Sequence, residues 1–66
     1  MHPLDDISVY RVGMTLKVWS NRVFGVPIWF EVTKVGRKYL HGDFRYAGAV
    51  WSGAVSPARV ERVFES

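Results

Sequence analysis

Residues 28–44, Ile28-Trp29-Phe30-Glu31-Val32-Thr33-Lys34-Val35-Gly36-Arg37-Lys38-Tyr39-Leu40-His41-Gly42-Asp43-Phe44, decide the fold. Ile28, Phe30 and Val32 alternate with Trp29, Glu31 and Thr33, the period of two expected of a ribbon with one face buried. Gly36, Arg37 and Lys38 interrupt the pattern as a tight basic turn, and a second strand resumes at about Lys38 and runs to Phe44. The pair reads as a β-hairpin. Ile28, Phe30, Val32, Leu40 and Phe44 are assigned to the inner face, and Trp29, Glu31, Thr33, Tyr39, His41 and Asp43 to the outer one.

The same logic extends outward. Gly13 opens a strand at about Thr15–Ser20, with Leu16 and Val18 inward and Lys17 and Trp19 outward. Asn21–Pro27 is a loop, since Gly25 relaxes the backbone and Pro27 forces Val26 out of the helical region. Arg45-Tyr46-Ala47-Gly48 makes a second tight connection to a strand at about Ala49–Gly53. Ser56-Pro57-Ala58-Arg59 reads as a 3₁₀ turn, and Val60–Phe64 as a fifth strand whose mixed pattern leaves its facing open. Ahead of these, residues 3–7 are expected to form one helical turn, with Pro3 at its start and Asp5 and Asp6 near the positive end of its dipole. Ser8–Val12 is expected as an extended lead-in with Val9 and Tyr10 partly buried. The domain reading is an N-terminal arm over 1–12 and a barrel over 13–66.

Five short strands, a long first loop, two tight hairpins and a turn before the last strand resemble the SH3-like small barrel over residues 13–64. The matching pieces are Gly13-Met14-Thr15-Leu16-Lys17-Val18, the hairpin Val32-Thr33-Lys34-Val35-Gly36-Arg37-Lys38-Tyr39, and Ser56-Pro57-Ala58-Arg59-Val60. The resemblance implies an all-β, single five-stranded barrel. The hairpin is also similar to a stretch in small uncharacterised proteins of bacteria and their phages. Signalling SH3 domains carry an acidic first loop and a paired-tyrosine motif; both are missing, so polyproline recognition is not implied. An oligonucleotide-binding barrel places a helix between strands three and four, and Tyr46–Ala49 is too short for one. The tail Ala54–Val63 resembles the closing segment of plasmid-type dihydrofolate reductases, which build one pore from four barrels. Their glutamine-and-tyrosine pore motif is absent, and the chain contains no glutamine, so the chain is read as no enzyme.

Sixty-six residues make one domain, which hides only about 60% of the surface its unfolded chain exposes. Without cysteine there is no disulfide and no thiolate metal site; three Trp, three Tyr and four Phe supply the buried area instead. Self-association is the other remedy for a small core, so a homo-oligomer is an open expectation. The net charge of +3 is unevenly spread: Arg11–Arg45 holds seven bases against two acids, and the remainder holds two bases against four acids. A basic middle attracts phosphate or an acidic protein. No apolar run approaches the roughly 20 residues that span a bilayer. Met1–Asp6 lacks the regions of a signal peptide. A cytoplasmic protein without a membrane partner is expected.

The candidate site follows from the outward residues. Trp19, Trp29 and Tyr39 near Lys17, Arg22, Arg37, Lys38 and Arg45 would form a platform of π-faces in a positive field. Single-stranded RNA or DNA is held in this way, with stacking worth about 1–3 kcal/mol per base. Trp, Tyr and Arg also dominate protein interfaces, so a protein partner, as for a phage-type regulator or inhibitor, is the alternative. A self-associating barrel is the third reading, in which the rings are covered by a second copy. His41 and Asp43 share a face, yet Ser20, Ser52 and Ser56 have no nucleophile motif around them, so a hydrogen-bonded surface histidine is expected. Two histidines with scattered acids compose no metal site, and the glycines fall singly, with no phosphate-cradling loop. No cofactor is expected.

Overall fold

Alternation is realised from Ile28 to Thr33 on the second strand. In the computed structural model, which describes residues 6–64, strands β1 (Thr15–Val18), β2 (Ile28–Val35), β3 (Leu40–Tyr46), β4 (Ala49–Val55) and β5 (Val60–Phe64) form one antiparallel sheet. The strand order is β4-β3-β2-β1-β5. Ile28, Phe30 and Val32 are buried, and Trp29, Glu31 and Thr33 are exposed. The expected all-β class is what the chain adopts. Against the sequence reading, β1 stops two residues early, β3 starts two residues late, and β3 and β4 each run two residues further.

One buried face, with no second layer over it among the described residues, forces the sheet to curl. Val55 ends one edge strand and Val60 begins the other, with Ser56 and the 3₁₀ turn Pro57–Arg59 between them. That path spans about 12 Å, counting roughly 2 Å per 3₁₀ residue. Five flat strands would put the two edges about 19 Å apart. The short link therefore draws the edges together around the core. No ladder joins β4 to β5 among the described residues, so the sheet is curled but open.

Inside the curl lie Tyr10, Leu16, Val18, Ile28, Phe30, Val32, Leu40, Phe44, Val55 and Val60, with Ile7, Met14, Val23, Val35, Trp51 and Val63 packed around them. Phe30 and Phe44 meet at 4.7 Å between ring centres. Tyr10 is buried and Val9 exposed, where both were expected half-covered. The N-terminal turn falls at Ile7–Val9, and residues 3–5 of the expected turn lie outside the described residues. Asp6 caps it: its carboxylate accepts from the amide and the hydroxyl of Ser8. Those two bonds hold its carboxyl below the usual range.

Two bulges settle facings that alternation alone leaves wrong. In the β2–β3 ladder Val32 pairs with Gly42 and Lys34 with His41, so Thr33 is an extra residue. The phase shifts there, and Val35 joins Leu40 on the inner face. In the β1–β5 ladder Lys17 pairs with Arg62 and Val18 with Val60, which makes Glu61 the extra residue. Val60 and Val63 thus both face inward, an arrangement no strict alternation allows. No helix of the described residues is long and apolar enough to cross a membrane.

Candidate nucleic-acid interface

The ladder registers define a row across the whole outer face. Arg62, Lys17, Trp29, Arg45 and Val50 are successive cross-strand partners from β5 to β4. The Lys17 Nζ sits 4.2 Å from the Trp29 ring centre, and the Phe64 ring leans on the same indole at 4.9 Å. Trp29 is 41% exposed. The adjacent row reads Phe64, Thr15, Glu31, Asp43 and Ser52, so carboxylates run beside the cations. Arg45 approaches Glu31 at 3.8 Å, an exposed pair that contributes little to stability but offsets charge locally. Two shallow hollows of about 330 and 280 Å³ flank Trp29 and Arg45, the second lined by Tyr46–Val50.

A different surface gathers Trp19, Arg22 and Tyr39. They line a groove of about 270 Å³ with Ser20, Asn21, Phe44, Ala54, Val55, Ser56 and Arg59. Among the described residues the lining holds two arginines and no carboxylate. Its geometry is tied down by backbone bonds. The Trp19 amide donates to the Arg59 carbonyl at 2.8 Å, which pins the first loop to the 3₁₀ turn. The Ser20 hydroxyl oxygen accepts from the Arg22 amide at 3.1 Å and shapes the loop beneath that side chain. Arg22 then lies 4.7 Å over the Trp51 ring, and Trp51 stacks on Phe44 at 5.6 Å and 14°. A column of Arg22, Trp51, Phe44 and Phe30 therefore runs from the groove into the core, and it orders the guanidinium.

The eight residues expected to form one platform thus divide between two surfaces. Lys17, Trp29 and Arg45 share the outer face; Trp19, Arg22 and Tyr39 share the groove. Arg37 and Lys38 sit at the β2–β3 hairpin tip, directly preceding Tyr39, and are exposed. That tip is closed by the Gly36 amide donating to the Tyr39 carbonyl. Sequence reasoning passed over Arg59, since its place in the groove depends on where the 3₁₀ turn docks. It also passed over Phe24, 84% exposed in the first loop. An aromatic stranded between a polar start and Gly25 was a legible signal of an uncovered ring. His41 lies on the outer face, where its backbone carbonyl accepts from the Thr33 hydroxyl. Among the described residues no three His, Cys, Asp or Glu side chains are grouped to hold a metal.

No protein-family model, curated protein or solved structure matches this chain.

Proposed function

We propose that this chain is a small non-enzymatic binding module that holds single-stranded RNA or DNA in the groove between the first loop, the β2–β3 hairpin and the 3₁₀ turn. One observation carries the reading: Trp19, Tyr39, Arg22 and Arg59 line a single groove to which the described residues contribute no carboxylate. Bases stack on the exposed ring faces, and the guanidiniums meet phosphates, with Arg37 and Lys38 extending the positive track past Tyr39. A duplex hides its base faces, so stacking of this kind selects single strands. The strand order, the long first loop and the turn before β5 support assigning the curled sheet to the SH3-like barrels. A cytoplasmic setting belongs to the same proposal.

The test is a fluorescence titration of the chain with single-stranded and duplex oligonucleotides across a salt series. Single strands are expected to bind more tightly, with affinity falling linearly in log[salt]. R59A should reduce the magnitude of that slope by about 0.7, one phosphate contact on a single strand. W19A should weaken binding by about 1–3 kcal/mol. Absence of binding at low salt, or binding indifferent to salt, overturns the reading.

A second reading rests on the outer face. Trp29, Tyr46 and Val50 are exposed around the two hollows, amid cations and carboxylates of both signs. Mixed charge about an aromatic anchor suits a protein partner, as a phage-type regulator or inhibitor would present. Partner capture that W29A abolishes and salt leaves intact would favour it.

A further inference from the structure

The two edges of the sheet are protected very differently. β5 carries Glu61 and Arg62 and is bent by the Glu61 bulge, both devices that discourage pairing. β4, Ala49-Val50-Trp51-Ser52-Gly53-Ala54-Val55, carries no charge, no proline and no bulge, and among the described residues β3 is its single strand neighbour. Tyr46 and Ala49 pair across the two-residue turn Ala47-Gly48, whose φ values are both positive, so they form the hydrogen-bonded closing pair of the hairpin. Alternation from that pair turns the backbone groups of Ala49, Trp51, Gly53 and Val55 toward β3 and leaves those of Val50, Ser52 and Ala54 aimed outward.

We infer that β4 is a self-pairing edge, on which a second copy of this chain docks antiparallel about a twofold axis at Ser52. In that register Ser52 faces Ser52 of the second copy, Val50 faces Ala54, Trp51 faces Gly53 and Ala49 faces Val55. The three outward-aimed residues of each strand then satisfy one another completely, giving six backbone hydrogen bonds over all seven residues. Size complements size: each larger side chain meets a smaller one, and the widest, Trp51, meets glycine. An uncharged strand also adds no cation of its own to the seam between two chains of net charge +3. A seven-residue edge covers roughly 250 Å² per chain, from about 24 Å of strand and a sheet thickness near 10 Å. That lies well below the standard interface, so the pairing is weak and depends on concentration. Ala54 and Val55 line the groove, so the two grooves flank the twofold axis.

Because the chain has no cysteine, a single introduced thiol reports the register. Cα atoms of a hydrogen-bonded antiparallel pair stand about 5.5 Å apart, within disulfide range. Under mild oxidation S52C should give a linked dimer at least about tenfold faster than A54C, whose thiols stand two residues from the axis on opposite sides and so about 14 Å apart along the strands. Mixing V50C with A54C should give the mixed dimer in preference to either self-dimer. Equal rates for S52C and A54C, or no linked dimer, overturn the inference. Sedimentation equilibrium supplies a second readout. The unmodified chain should associate in the high micromolar range, and S52K, with two ammonium groups at the axis, should remain monomeric with an unchanged circular-dichroism spectrum. A chain monomeric to about 1 mM, or S52K associating equally, overturns it as well.

Discussion

Gly42 and Ala47 show how far single positions depend on what lies across the sheet. Gly42 is buried on the inner face opposite Val32, where a Cβ would collide with the Glu31 carbonyl and stand 3.0 Å from the Phe30 ring. The obstacle on one side is backbone, which cannot swing away. G42A should therefore destabilise the fold by about 3 kcal/mol or more, read as a loss of the cooperative urea transition or a large fall in its midpoint. Ala47 has the opposite problem. Its φ of 51° lies in the left-handed region, imposed by the two-residue turn. Alanine there is strained by roughly 1 kcal/mol, whereas Asn-Gly is the preferred pair for this turn. A47N should raise stability by about 0.5–1 kcal/mol, seen as an increased urea midpoint at constant slope.

At the scale of elements the bulges matter most. Thr33 is the extra residue of β2, so removing it leaves Val32 opposite Gly42 and Val35 opposite Leu40 on the same inner face. A chain lacking Thr33 should keep the β-sheet spectrum and a cooperative transition, having lost a local kink and the bond from its hydroxyl to the His41 carbonyl. Deleting Glu31 leaves a ladder of the same length, but it puts Val32 on the outer face and Thr33 in the buried place opposite Gly42. That chain should lose about 1–3 kcal/mol of stability relative to the chain lacking Thr33, the cost of a buried hydroxyl in place of a core methyl. Circular dichroism with thermal melting separates the two deletions, and equal behaviour would show that Thr33 is not the extra residue.

For the molecule as a whole, curling divides the cations between an outer face shared with Glu31 and Asp43 and a groove to which the described residues bring no acid. The division predicts unequal effects on oligonucleotide binding. The double substitution R22A/R59A should weaken it at least about tenfold at low salt, as two phosphate contacts are lost. K17A/R45A removes the same formal charge from the outer face and should change it by less than about threefold, since screening limits its reach. Salt-titrated affinities of the two variants decide the matter. Equal losses would mean that total charge, not the groove, governs binding.

The sequence by itself determined the class and the strand count. Period-two alternation in residues 28–33, glycine-marked turns and Pro57 are local signals, because each reflects the torsional preference or burial of neighbouring residues. The inner set Leu16, Val18, Ile28, Phe30, Val32, Leu40 and Phe44 was legible for the same reason, and all seven are buried. Val35, Val60 and Val63 were not assignable, since a bulge changes phase by pairing two residues against one on another strand. The grouping of Trp19 and Arg22 with Tyr39 and Arg59, apart from Lys17, Trp29 and Arg45, was likewise decided by tertiary structure. Alternation tells which side of a ribbon a residue occupies; the curl of the sheet and the docking of its loops decide which residues then stand together.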